Sequence, residues 1–584
     1  MPNKTKNYFE PHADSTCLVV LVHGWDNNRD TLVDIKKEIV SRFPDADLLR
    51  STYKNVIPYN EDPFELAGEI EALIDDTYQN HRTSSGKDYE KIILIGYSFG
   101  ALLLRKAYVY GMGSTEDFRI YGGKKTPAHD WVSKVERIIL IAGVNRGWSL
   151  EEKPDNMSAT RWFSFRLLAL IFRPLPVANY IKSLERGAPF VANLRLQWIR
   201  LVQENSAGVA PVFQLLGSID DLTTARDDSD LYVHNDFIFI PVVGANHATL
   251  VRFNGTFMGQ HCREKFVEAL AGNIADLKEK YMLIYEDGQR KARPLERPGK
   301  HIIFVLHGIR DYGQWTQSMR ETLGKFAADN RLPAPEVVTP SYDYFPMSKF
   351  LLMPNRQKHV RWFMDQYTER LAASPNPKSV VSFIGHSNGT YILASALKKY
   401  ATMRIHRASF AGSVVPREYD WEQVITQEGR VEKLRNDRAA EDWVVGIFPK
   451  LFDQRHWFDI GSGGFDGFTA NVVNQYEGDR YYKGGHGAAI APANRESIAK
   501  FILTGEIVRD SNLLTDSQPG WLQTLSKLCL AVWVLILAIL ILGLWVTYLI
   551  GGSLSTYFQI NKALTVIVLE ACYLGLVGWL LNVI

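Results

Sequence analysis

Two apolar strands in this 584-residue chain each run directly into a Gly-x-Ser-x-Gly turn. The first reads Lys91-Ile-Ile-Leu-Ile-Gly96-Tyr97-Ser98-Phe99-Gly100. The second reads Val380-Val-Ser-Phe-Ile-Gly385-His386-Ser387-Asn388-Gly389. A strand ending in His-Gly precedes each: His23-Gly24 lies 75 residues before Ser98, and His307-Gly308 lies 80 before Ser387. Small residues around the serine permit a sharp strand-to-helix turn that leaves its hydroxyl above the sheet edge. One such turn is a weak signal, but two with the same upstream strand predict a duplicated αβ architecture.

The chain is too long for a single core, and two or three domains are expected. A net charge of +2 gives no global field for nucleic acid, so no nucleic-acid partner is expected. The cysteines Cys17, Cys262, Cys529 and Cys572 are scattered, without a Cys-x-x-Cys or Cys/His cluster. Neither a disulfide framework nor a metal site is suggested, and no cofactor is expected. The N-terminal residues lack an apolar signal region, so the large domains are expected in the cytosol.

The C-terminus has a different character. Residues 528–550 form 23 positions without a charge, and 564–584 form 21 with the single acid Glu570. Each is long enough to cross a hydrocarbon layer of about 30 Å. With 551–562 as a short polar connection, the expectation is a membrane-spanning helical hairpin over 528–584. The hairpin also offers a route to a homo-oligomer.

Upstream, short apolar runs at 17–22, 92–95, 138–141, 212–216 and 237–243 alternate with helical spacing at 34–43, 64–81, 99–110 and 262–281. That alternation predicts a mostly parallel sheet with helices on both faces. Residues 286–300, with two prolines, two glycines and many charges, read as a linker. Strand signals return at 302–306, 380–384, 409–415 and 431–434. The domains expected are therefore 1–285, with a cap insertion at about 150–210, and 301–510. A spacer over 511–527 leads to the hairpin.

On these residues the chain resembles the α/β-hydrolase superfamily, twice over, across about residues 15–505. In that family a serine nucleophile is followed in sequence by an acid and then a histidine, so the resemblance implies two Ser-Asp-His triads. In the first domain Ser98 is joined by Asp220, in the loop after Val212-Phe-Gln-Leu-Leu-Gly217, and by His247 after Pro241-Val-Val-Gly244. Asp221 is the alternative acid and His234 the rival base. In the second, Ser387 is joined by Asp442 and His486, with Asp437 and Glu441 as alternative acids and His456 as a rival base. The oxyanion donors expected are the backbone N–H groups of Trp25 with Phe99, and of Ile309 with Asn388. His23 and His307 are expected to shape loops rather than to act as bases.

The loop Asn145-Arg146-Gly147-Trp148-Ser149 partly resembles one found in lipases and inositol deacylases. The stretch 161–173, Arg-Trp-Phe-Ser-Phe-Arg-Leu-Leu-Ala-Leu-Ile-Phe-Arg, mixes large apolar side chains with arginines, a composition suited to a lipid headgroup layer. The expectation is a membrane-anchored serine hydrolase acting on an ester, the substrate being a lipid or another acyl ester. Thioester or protein deacylation, and a non-catalytic membrane scaffold, are the alternatives.

Overall fold

The computed structural model describes residues 6–24, 31–53, 62–118, 123–149, 182–220, 225–282, 298–309, 314–341, 345, 347–350, 352–455, 459–474, 480–559 and 561–583. It divides into two compact units. The first takes Met1–Gly299 together with Arg361–Ser379 and Lys399–Met403. The second takes Lys300–Val360, Val380–Lys398 and Arg404–Ile584.

The first unit is built on a seven-stranded sheet. Its strands are β1 (Lys6–Glu10), β2 (Cys17–Val22), β3 (Asp47–Thr52), β4 (Lys91–Tyr97), β5 (Val135–Ile141), β6 (Val212–Gly217) and β7 (Phe237–Val242), in the order β1-β3-β2-β4-β5-β6-β7. All neighbours pair in parallel except β1, which runs antiparallel to β3. Along β2, Leu18, Val20 and Val22 enter one apolar cluster, and Cys17, Val19 and Leu21 enter another. Both faces are therefore buried, which is why these strands read as unbroken apolar runs. The helices Pro63–Ser85 and Phe99–Gly111 cover one face, and Val33–Arg42 and Phe257–Ala271 the other. The first of these has clear end signals: Asp62 Oδ1 accepts from Phe64 N at 3.0 Å, Pro63 opens the first turn, and Gly86 closes the helix at φ 68°.

Strand order, parallel pairing and a serine turn after the third strand of the parallel set define an α/β-hydrolase fold. The second unit carries a five-stranded parallel sheet: β8 (His301–Leu306), β9 (Glu336–Val338), β10 (Val380–His386), β11 (Ile405–Ala411) and β12 (Val431–Asp437), ordered β12-β11-β10-β8-β9. Read from β9, this sequence of neighbours repeats β3-β2-β4-β5-β6 of the first sheet.

The structure moves several boundaries. The helix expected over 262–281 is two helices, Phe257–Ala271 and Ile274–Met282. Gly272 leaves the helical region at ψ 154°, and Asn273 Oδ1 caps the next helix by accepting from Ala275 N at 2.9 Å. The strand expected at 409–415 lies earlier, at β11, and stops at Ala411 because Gly412 turns the chain at φ 53°. At the C-terminus the helix Cys529–Phe558 runs through most of the expected polar connection. Its hydroxyls bond back to helix carbonyls (Ser553 Oγ to Leu549 O at 3.1 Å, Ser555 Oγ to Gly552 O at 2.8 Å), and Gln559 ends it at φ 53°. Among the described residues this is the one helix long and apolar enough to cross a membrane. Its most apolar part has a mean hydropathy of 2.9 and is 6 % buried. A further helix, Lys562–Val583, follows, and Tyr573 Oη donates to Leu540 O at 3.3 Å.

Candidate active site

Ser98 stands between β4 and the helix Phe99–Gly111, at φ 53° and ψ −121°. A non-glycine residue at positive φ is strained, and the strain persists only where its surroundings hold it. Here Ser98 N donates to Ile141 O at 2.8 Å. The flanking glycines are dictated by space. A Cβ on Gly100 would lie 2.2 Å from His23 O, and one on Gly24 would lie 2.9 Å from Ser98 Cβ. The His-Gly element thus belongs to the serine turn because its backbone packs directly on it.

The acid and the histidine arrive at the ends of β6 and β7. His247 Nδ1 lies 3.0 Å from Asp220 Oδ2, and its Nε2 lies 2.9 Å from Ser98 Oγ. Asp220 is almost fully buried and Ser98 is 9 % exposed. With Nδ1–H donating to the carboxylate, Nε2 presents its lone pair to the serine hydroxyl, the tautomer a general base requires. Asp221 and Trp25 lie outside the described residues. His234 is held elsewhere, with Nε2 at 3.3 Å from Ser206 O, and its burial pushes its pKa down. His23 is engaged elsewhere: its Nδ1 is 2.7 Å from Gly24 O, and its ring stacks on Tyr53 at 4.4 Å. Phe99 is the first residue of the helix, where N–H groups lack intrahelical acceptors and point toward the serine end.

The second unit repeats much of this geometry. Ser387 follows β10 at φ 52°, and Asn388 opens the helix Asn388–Lys399. A Cβ on Gly308 would lie 2.8 Å from Ser387 Cβ. His486 Nδ1 lies 3.0 and 2.9 Å from the two oxygens of the fully buried Asp442. Burial disfavours the His486 imidazolium, but the Asp442 charge and hydrogen bond outweigh it and raise the His486 pKa. Among the described residues no hydrogen bond joins His486 to Ser387. Asp437 is committed elsewhere, to Arg435 at 2.8 Å and Arg509 at 3.0 Å, and Glu441 is exposed. Ile309 sits half-buried in the turn after Gly308; His456 lies outside the described residues.

The loop after β5 is tied down by buried charge rather than by contact with the serine. Asn145 Nδ2 donates to Asp228 Oδ1 at 2.6 Å, and Arg146 forms a paired contact with Asp365 at 3.1 and 2.8 Å. Arg195 bonds to Asp230 at 2.9 Å and to Glu369 at 2.5 Å. Burial holds the Asp228 carboxyl well above the usual range, with Asp230 and Asp227 adding to the effect against the Asn145 bond. Sequence reading missed this network, since its members lie up to 219 residues apart and share no local pattern. The basic stretch 161–173 lies outside the described residues.

Residues 12–141 match the model of a family described as "Putative serine esterase (DUF676)". No curated protein matches the chain. Solved structures similar to it include carboxyl esterase 2 from Tuber melanosporum, at 14 % identity and TM-score 0.29, covering 47 % of this chain and 80 % of that one. The Exiguobacterium antarcticum esterase gives 12 % identity and TM-score 0.28, covering 46 % and 95 %. At such scores the fold assignment rests on strand order and the serine turn, not on these likenesses.

Proposed function

We propose that this α/β-hydrolase serine hydrolase cleaves carboxylic esters at Ser98, with His247 as base and Asp220 as its orienting acid. The observation that carries the reading is the unbroken Ser98–His247–Asp220 relay at 2.9 and 3.0 Å, set on a strained turn at a strand end. A serine hydroxyl is a weak nucleophile until a base removes its proton. His247 Nε2 takes that proton as Oγ attacks the ester carbonyl, and the Asp220 charge steadies the imidazolium that results. The oxyanion is received by backbone N–H groups, assigned to Phe99 and Trp25. The imidazolium then protonates the departing alkoxide, leaving an acyl group on Ser98. Water, deprotonated by the same histidine, releases the acid and restores the serine.

The second unit is read as a duplicate carrying Ser387, His486 and Asp442, with Ile309 and Asn388 as oxyanion donors. Support comes from the repeated strand order and from the matching placement of both serines at positive φ. The ester is assigned to a membrane lipid, with 528–584 as a two-helix anchor and the hydrolase units on the cytosolic side. Three observations favour this. The most apolar part of the helix Cys529–Phe558 is only 6 % buried. Phe448 and Phe452, in the helix that begins immediately after Asp442, pack on Trp533 of that apolar helix at 5.4 and 5.8 Å. Finally, Leu352, Met353, Trp443 and Trp521 leave large apolar surfaces uncovered in the second unit.

The test uses the full chain in phospholipid vesicles. Fluorophosphonate labelling followed by mass spectrometry should mark Ser98, and Ser98→Ala should abolish that label. Fatty acid release should fall with Ser98→Ala and vanish with Ser98→Ala plus Ser387→Ala. Release that survives the double variant overturns the reading. Turnover of soluble acyl esters without any release from vesicles would retain the triad and remove the lipid.

A further inference from the structure

We propose that the residue preceding each serine, Tyr97 in the first unit and His386 in the second, is a positioning residue that fixes the backbone of the histidine loop. This rests on reading Ser98 and Ser387 as nucleophiles. Tyr97 Oη donates to the carbonyl of His247 at 3.1 Å, and His386 Nε2 lies 3.2 Å from the carbonyl of His486. The partner is the main chain of the base, so each base is held at two points: its ring by an aspartate, its backbone by the serine turn.

The same tie is made by different chemistry in the two units. A phenol hydroxyl makes it once and an imidazole N–H makes it once, each from the strand residue next to the nucleophile. For His386 this requires a proton on Nε2. Burial, with the neighbouring His486 charge, pushes its pKa down to about 3, which keeps it neutral. Its Nδ1 is buried and, among the described residues, has no hydrogen-bond partner. Among the described residues neither histidine carbonyl receives another hydrogen bond. Both rings also lie against the base they hold: Tyr97 is 5.5 Å from His247 and His386 is 4.7 Å from His486, centroid to centroid.

The need for such a tie follows from where the base sits. His247 follows a turn in which Gly244 adopts φ 79° and Val243 is 69 % exposed, beyond the buried Ala245. An imidazole that must reach a serine and an aspartate together tolerates little drift, because displacement of a reacting group by about 1 Å can cost about 10²-fold in rate. The serine turn is itself held to β5, Ser98 N donating to Ile141 O at 2.8 Å. A hydrogen bond from the turn to the loop backbone makes the position of the base follow the position of its nucleophile.

The experiment uses the full chain carrying Ser387→Ala, so that only the first site turns over, with a short-chain p-nitrophenyl ester as probe. Active sites are counted by fluorophosphonate titration, and kcat is expressed per labelled Ser98. Tyr97→Phe keeps the ring and removes the donor. It should lower kcat per labelled site about tenfold, the equivalent of one lost hydrogen bond, with KM within about twofold. Tyr97→His, which borrows the second unit's solution, should restore most of that loss. A Tyr97→Phe protein with unchanged kcat per site, or a loss that Tyr97→His does not repair, overturns the proposal. If Tyr97→Phe fails to fold, Tyr97→His alone decides, since a positioning role requires near-parental kcat from it. A parent protein that takes no label at Ser98 would instead mean that the reading of Ser98 as nucleophile had failed.

Discussion

His486 faces both carboxylate oxygens of Asp442, at 3.0 and 2.9 Å, while making no hydrogen bond to Ser387. In the first unit one oxygen of Asp220 suffices, and the other side of the His247 ring reaches Ser98 at 2.9 Å. The two sites thus differ in the carboxylate contact and, above all, at the joint between histidine and serine. A serine without an aligned base reacts slowly, since removing a positioned base commonly costs about 10²–10⁴-fold. Fluorophosphonate should therefore label Ser98 at least ten times faster than Ser387 in the same molecule. Peptide-resolved labelling time courses measure both rates together, and equal rates would refute the difference.

The second site should also have a distinct pH response. A histidine serves as a base only when neutral, and Asp442 raises the His486 pKa against the opposing effect of burial. Activity at Ser387 should fall on acidification from a higher pH than an ordinary imidazole, near 6.5, would give. Asp442→Asn removes the charge that raises the value and should move the acid limb to lower pH. The residual rate of the Ser98→Ala protein, followed from pH 5 to 9, tests this; a limb that does not move contradicts it.

Gly24 and Gly308 pack closely against Ser98 and Ser387, and that contact sets a clear expectation. An added Cβ would come within 2.9 Å of Ser98 Cβ at the first site and 2.8 Å of Ser387 Cβ at the second. Neither glycine has a positive φ, so alanine strains the serine turn and not its own backbone. Gly24→Ala should reduce labelling of Ser98 by about 10²-fold, the cost of misplacing a reacting atom, while leaving the fold intact. Gly308→Ala should do the same to Ser387 alone. Undiminished labelling in either variant would show that the turn can yield.

Much of this architecture was legible because parallel strands buried on both faces must be continuously apolar. Strands β2, β4, β7 and β8 appear as such runs, and the resemblance to the α/β hydrolases points to Asp220 and His247, which lie within hydrogen-bond distance of each other. Strands β1, β3 and β9 are invisible to the same reasoning. The first is a charged edge, Lys-Asn-Tyr-Phe-Glu; the second, Asp-Leu-Leu-Arg-Ser-Thr, carries only two large apolar residues; the third has three residues. The helix through Gly551 to Phe558 was hidden because its serines and threonine look like a loop until their hydroxyls find helix carbonyls. The tie from Tyr97 to His247 spans 150 positions and has no local signature at all.

Arg195 makes the buried network of the first unit open to measurement. It is almost fully buried, with Asp230 at 2.9 Å, Glu369 at 2.5 Å and Asp365 at 3.7 Å around its guanidinium. Arg105 also reaches Asp230, and Arg146 lies 3.4 Å from Glu369, so each carboxylate keeps one cation while the centre of the network is lost. Removing one member of a buried ion pair typically costs about 3–5 kcal/mol, because the remaining charges stay desolvated. Arg195→Met keeps the aliphatic stem and should lower stability by about that amount in a denaturant titration. A loss below about 1 kcal/mol would mean that water reaches the site.

Acid should weaken the second unit before carboxylates titrate, because it buries neutral imidazoles. Burial, with the charges of His406 and Arg407, pushes the His301 pKa down to about 4, and its Nε2 lies 2.8 Å from Ser382 Oγ. Burial, with Lys358, His307 and Lys349, pushes His359 down to about 4 as well. His386 falls to about 3, through burial and the His486 charge. A folded-state pKa below the unfolded value means that the unfolded chain binds more protons between the two. Stability then rises with pH across that window and is lost as pH falls from about 6.5 toward 4. His486 acts in the opposite sense, since its raised pKa contributes stability that is full at low pH and fades as pH rises. His406 is pushed down in the same direction by burial, and the His486 contribution is close to full below the unfolded value, so the unfolding midpoint of the second unit should drop steadily between pH 6.5 and 4.5. Substituting His301→Asn, which remains neutral and hydrogen-bonding, should flatten that slope. A midpoint that holds constant over this range, or a slope unchanged by His301→Asn, would remove buried histidine as its cause.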